Sequence, residues 1–118
     1  MHFLSAFFAM VGGMIGVLCR LLLMQYSSYA PSPILVANII GSCIAGLFFH
    51  KLTGNDAGYS FLIIGFCGGM TTMSTCALES YLFLARGDYI AGIINASANI
   101  FLSIIFVAIG MMLAKYVF

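Results

Sequence analysis

Charge is what this sequence has least of. Only 6% of its 118 residues are Asp, Glu, Lys or Arg, while 64% are hydrophobic; a soluble domain carries about a quarter charged residues. A soluble domain this small leaves much of itself exposed, so no soluble packing could hide that much apolar surface. Lipid is the solvent that fits. A net charge of +1 leaves no surface suited to nucleic acid or to an acidic partner. The four cysteines, Cys19, Cys43, Cys67 and Cys76, lack CxxC and Cys/His ligand spacings and read as buried free thiols. Enzyme motifs are missing too. There is no HExxH and no nucleophile elbow, and the stretch GFCGGMTT has no Lys where a phosphate would need one. His2 and His50 fall near helix ends and read as interfacial. The N-terminus lacks the Lys/Arg region of a secretory leader, and its apolar run lasts to Met24, so it reads as a true span.

A span needs about 20 apolar residues. Four segments qualify, at about 3–24, 34–50, 59–85 and 89–118, within one domain covering residues 1–118. The first ends at Gln25-Tyr26-Ser27-Ser28 with Pro31 and Pro33, and the second stops at Lys51. Thr53-Gly54-Asn55-Asp56 and Arg86-Gly87-Asp88 form the remaining turns. Connections this short make sequential helices antiparallel neighbours. An even number of spans puts both termini on one side, with Lys51 and Lys115, and leaves Arg20 and Arg86 on the other. Two against two gives the positive-inside rule nothing to decide with. Such a chain can insert either way round and pair with an inverted copy of itself. Gly12 with Gly16, Gly65 with Gly69, and Gly41 with Ala45 have the spacing that lets helices touch in membranes.

The third segment carries the chemistry. Gly65-Phe66-Cys67-Gly68-Gly69-Met70-Thr71-Thr72-Met73-Ser74-Thr75-Cys76 lies at mid-span. Gly costs about 1 kcal/mol in a helix interior, and Ser/Thr hydroxyls compete for backbone bonds. The pattern predicts an unwound break around Gly68 to Thr72; the alternative is an ordinary Gly-kinked helix with hydroxyls bonded to its own turn. Irregular backbone at this depth must be buried in protein or line a cavity. Freed carbonyls there suit a cation, and the half-helix N-terminus that follows suits an anion. Asn38 and Ser42 share a face of the second helix. Asn95, Asn99 and Ser103 make a polar stripe on the fourth, roughly 12 Å long at helical rise. Interhelical glue explains any one of them; a stripe over several turns fits a permeation track. The groups are neutral and rich in N–H and O–H donors, which favours an anion. Arg20 and Glu79 are the deepest ionisable residues, lie toward the same side and are expected to pair; Arg20 could also concentrate anions in a vestibule.

At this point the chain resembles the CrcB/Fluc fluoride channels over essentially its whole length. Gly12-Gly13, Gly16 and Arg20 match the family's GGxxGxxxR start, and Asn38-Ile39-Ile40-Gly41 its NxxG. Gly65 to Thr75 resembles GFCGGxTTxST, with Glu79 following. The resemblance implies an all-α membrane protein of four transmembrane helices, the third broken near mid-membrane, assembled as a dual-topology antiparallel homodimer with two pores. It further implies a structural Na+ at the dimer interface, held by the backbone carbonyls of Gly68 and Thr71. The matching pore residues are Asn38, Ser74, Thr75 and Ser103, and passive fluoride efflux across the cell membrane is the expected activity. Fluoride is small and tightly hydrated, so its dehydration takes several close donors, and a narrow path excludes larger anions. Where the family has two phenylalanines with positive ring edges, this sequence has Met73 and Cys76. A thioether has no donor and a thiol only a weak one. Natural divergence, one half of a heteromeric pair, and engineering all remain open as the origin of that change. Two rival readings stand: a non-conducting subunit of a heteromeric channel, and a small four-helix multidrug exporter. The exporter needs a carboxylate in its first helix, and this first helix has none.

Overall fold

The computed structural model describes residues 2–26 and 32–118; the Ser27-Ser28 and Pro31 part of the first turn lies outside them. Four helical spans make up the described chain. Helix α1 is Phe3–Tyr26 and α2 is Pro33–Leu52. The third span consists of α3, Asp56–Tyr59, a π-helical stretch Ser60–Cys67, the short α4, Gly68–Met70, and then α5, Met73–Ala85. Helix α6 is Tyr89–Val117. At about 1.5 Å per residue, 24 residues of α1 reach beyond the roughly 30 Å hydrocarbon core.

Local chemistry sets the boundaries. The Ser32 hydroxyl accepts from the Ile34 N–H at 3.3 Å, with Pro33 in the first helical turn, where its missing N–H costs nothing. Asn55 caps α3 through Gly58 N–H, and Asp88 caps α6 through Ala91 N–H. Gly87 turns the chain between α5 and α6 at φ +82°, a backbone angle that other residues adopt only with strain.

Two tight pairs build the bundle. A Cβ at Gly12 would overlap the Phe61 carbonyl, and one at Gly16 the Phe66 carbonyl, so α1 lies backbone to backbone on the third span. Gly46 meets the Val107 carbonyl and Gly110 the Cys43 carbonyl, which brings α2 equally close to α6. In lipid such contact replaces the missing hydrophobic drive. The most apolar window of every span is at most 28% buried inside the protomer. Phe3, Met10, Met14, Leu18, Ile90 and Phe101 stand among many exposed apolar side chains. This surface requires lipid or another chain around it. The protein is a multi-pass membrane protein.

Candidate functional site

Helical backbone geometry in the third span is interrupted for two residues. Thr71 has φ −86° and ψ 152°, Thr72 has φ −151° and ψ 116°, and both are extended. Gly68, Gly69 and Met70 keep helical geometry; the non-helical stretch is therefore shorter than the sequence pattern predicts, confined to the two threonines. Their hydroxyls explain where it falls. Both the N–H and the Oγ1 of Thr71 donate to the Cys67 carbonyl at 2.9 Å, which closes α4. Thr72 Oγ1 accepts from Thr75 N–H at 3.3 Å and so caps α5; it also donates to Thr75 Oγ1 and meets Ser74 Oγ, each at 3.2 Å. These are side-chain bonds that compete with the helix and win at its ends.

Asn38 supplies what the helix would have supplied. Its Oδ1 accepts from Thr72 N–H at 2.8 Å, and its Nδ2 reaches the Thr72 carbonyl at 3.4 Å. A continuous helix would aim Thr72 N–H at Gly68 O and Thr75 N–H at Thr71 O. One donor is diverted to Asn38 and the other to Thr72 Oγ1, so the carbonyls of Gly68 and Thr71 lose their regular partners. The Gly69 carbonyl instead accepts from Arg20 Nε at 3.2 Å.

Beside the break lies a cavity of about 320 Å³ lined by Asn38, Ser42, Thr71, Thr72, Asn99 and Ser103, with Met73, Ile100 and Ile104. Its polar walls are amides and hydroxyls with no charged side chain, and they sit at the start of α5, whose dipole favours negative charge. The arrangement can offer hydrogen-bond donors to a small anion without binding it as tightly as a fixed positive charge would.

The structure gathers Asn38, Thr71, Met73 and Ser103 around this cavity. Ser74 and Thr75 occupy the first turn of α5 and bond to Thr72. Cys76 is 2% exposed, packed inside the protomer and not on the cavity wall, whereas Met73 is 63% exposed. Gly68 is exposed. The expected Arg20–Glu79 ion pair is not formed. Arg20 is held against the Gly69 carbonyl by the close packing of α1 on the third span. Glu79, beyond the break, accepts from Ser32 Oγ at 3.2 and 3.4 Å. All four cysteines are free thiols.

Several contributors escaped the sequence reading. Thr72 acts as cap and as clamp partner, and Ser32 as the carboxylate's donor. Ser80 Oγ donates to the Cys76 carbonyl at 2.8 Å and accepts from Asn95 Nδ2 at 3.0 Å. The four-residue spacing of Asn95 and Asn99 was a visible signal, whereas no local pattern ties Ser80 to Asn95 or Ser32 to Glu79.

A family model described as "CrcB-like protein, Camphor Resistance (CrcB)" matches residues 7–111. The chain belongs to this CrcB family. Among its relatives is the "Fluoride-specific ion channel FluC" of Sulfurihydrogenibium sp. (strain YO3AOP1), 33% identical over 89% of this chain and 92% of the relative. The FluC of Pyrococcus abyssi is 30% identical over 98% of this CrcB chain and 99% of its own length. That of Campylobacter fetus subsp. fetus is 33% identical over 100% and 99% respectively.

Proposed function

We infer that this CrcB chain forms a fluoride-selective channel through which fluoride crosses the membrane passively; it is not an enzyme. The observation that carries the reading is the donor-lined cavity beside an interruption inside an apolar span. Irregular backbone at that depth is tolerated only against protein or a polar path. Membership in a family whose relatives are named fluoride-specific channels gives the path its ion. Fluoride sheds its water only where several short donors replace it at once. Asn38 and Ser103 line the cavity, Ser74 and Thr75 follow on α5, and Met73 borders the cavity without offering a donor. Cys76, where the family pattern has its second phenylalanine, contributes packing behind the path. Arg20 and Glu79 flank this region as separate groups, Arg20 raising the local anion concentration and Glu79 held by Ser32.

An antiparallel homodimer belongs to the same proposal. Gly68, Met73 and Ser74 are exposed on the single chain beside the break, where lipid would leave the freed carbonyls unsatisfied. A second, inverted copy covers them. The balance of Lys51 and Lys115 against Arg20 and Arg86 supports insertion in both orientations; Lys51 Nζ lies 4.3 Å from the Phe118 ring, which puts the second span's end beside the chain's end. The donor set also fits a structural sodium ion. Carbonyl oxygens are hard, neutral ligands, and the Gly68 and Thr71 carbonyls have lost their helical donors. Among the described residues no group of three or more His, Cys, Asp or Glu could hold a metal instead. Two carbonyls from each copy would hold the ion, which would supply a fixed positive charge tying the two breaks together.

The test is anion efflux from liposomes holding the purified protein, read with ion-selective electrodes. Fluoride should leave and chloride should stay. Equal leakage of both, or retention of fluoride, removes the channel reading. Proton-driven cation uptake would instead favour a multidrug exporter.

A further inference from the structure

We propose that Asn99 is a positioning residue that fixes the orientation of the Asn38 amide and, through it, keeps Thr71 and Thr72 out of the helix. The proposal deepens the channel reading and rests on the break being part of the conduction path.

An asparagine amide has two nearly isosteric ends, one a donor and one an acceptor, and its neighbours decide which way it points. Here both ends of a side-chain relay are anchored on backbone groups that cannot reverse their polarity. Asn99 Nδ2 donates to the Asn95 carbonyl at 2.8 Å, and a carbonyl can only accept. That anchoring leaves Asn99 Oδ1 directed at Asn38, whose Nδ2 donates to it at 2.8 Å. Asn38 Oδ1 is thereby left for Thr72 N–H, also at 2.8 Å, and an N–H can only donate. Flipping the Asn38 amide would set N–H against N–H at Thr72 and oxygen against oxygen at Asn99. Both asparagines are buried, Asn99 at 3% and Asn38 at 7% exposure, and both border the cavity beside the break. Among the described residues no buried side-chain polar atom is left without a partner.

The consequence reaches the backbone. Thr72 N–H is the donor that a continuous helix would give to Gly68 O. While Asn99 holds Asn38 in place, that donor stays on Asn38 and the Gly68 carbonyl stays free. Without Asn99 the Asn38 Nδ2 keeps only its longer, 3.4 Å bond to the Thr72 carbonyl, so the amide is held more weakly and Thr72 N–H gains the option of returning to Gly68. The relay extends to the far side of the break as well: Asn95 Nδ2 donates to Ser80 Oγ on α5, and Ser80 Oγ to the Cys76 carbonyl. Helix α6 thus grips both the break and the half-span after it, from a position 61 residues away from Asn38 in sequence.

The experiment compares Asn99→Leu, Asn38→Ala and the double variant in reconstituted fluoride efflux, beside the unmodified channel. Loss of one buried hydrogen bond in the relay corresponds to about a tenfold slower efflux for Asn99→Leu. In the Asn38→Ala background the same change should add about twofold or less, because the two residues act in series. Hydrogen exchange of the Thr72 amide should be faster in Asn99→Leu, with other mid-span amides unmoved. A purely structural role would slow nothing selectively and would multiply with Asn38→Ala. Should Asn99→Leu not fold, Asn99→Ser provides the same exchange readout at smaller volume. Unchanged efflux in Asn99→Leu, multiplying losses in the double variant, or an unaltered Thr72 amide would each overturn the proposal. An unmodified protein that fails to pass fluoride would instead overturn the channel reading itself.

Discussion

Gly41 sits directly opposite the break, and Gly41→Ala probes the account where it is most specific. A Cβ at residue 41 would overlap the Thr71 methyl, Cγ2, and otherwise has the Cys67 carbonyl at 3.6 Å. The obstructing atom ends a side chain, so it can yield, but only by rotating Thr71 away from the 2.9 Å bond of its hydroxyl to the Cys67 carbonyl. One such bond contributes about 1 kcal/mol, and an off-rotamer side chain costs a similar amount. The chain should therefore fold and assemble, while the break is displaced by about 1 kcal/mol of strain. Expressed as a barrier this is roughly fivefold in rate. The assay is fluoride efflux from liposomes at matched protein density, with size-exclusion chromatography to confirm assembly. Thr71→Ser added to Gly41→Ala removes Cγ2 and keeps both the hydroxyl and the backbone carbonyl, and it should restore the rate. Unaltered efflux in Gly41→Ala, or no recovery in the double variant, would refute the steric argument.

Other positions separate fold from path. Gly46→Ala meets the Val107 carbonyl, which is backbone and cannot yield; α2 and α6 must part, so loss of the monodisperse folded species on chromatography is expected. Thr72→Ala removes the α5 cap and should lower stability by about 1 kcal/mol, read as a lower melting temperature in detergent, with Thr72→Ser close to the parent. Met73→Phe, at a 63% exposed site, should be tolerated with efflux retained; Cys76→Phe, at a 2% exposed site, should destabilise by about 1–3 kcal/mol through overpacking. Because Arg20 and Glu79 bond to different partners, the stability losses of Arg20→Leu and Glu79→Gln should add to within about 0.5 kcal/mol in thermal unfolding.

Much of the architecture could be read directly from composition. The scarcity of charge and four long apolar runs led to four helices whose ends fall within a few residues of the sequence reading, since hydrophobic length is a strong signal in lipid. The glycine pairs likewise marked real close approaches, with Gly12 and Gly16 on one side and Gly65 on the other. The π-helical stretch Ser60–Cys67 left no trace in the pattern, because widening a helix by one residue per turn needs no special side chain. The glycines also drew the expected break too far toward the N-terminus. Gly68 and Gly69 stay helical, Gly69 packed against Gly13 of α1, and the threonines, through side-chain bonds, decide where the helix ends. The Arg20–Glu79 pairing failed for a related reason. Depth along the span was legible, but azimuth around the helix was not, and each residue found a nearer partner.

Fluoride permeation is read directly as current across a planar bilayer holding the purified protein, with both anions on both sides and their gradients opposed. The reversal potential should fall at the fluoride equilibrium value, with chloride carrying no measurable current. A reversal potential midway between those of the two anions, or one that follows the cation gradient, would contradict a fluoride-selective channel.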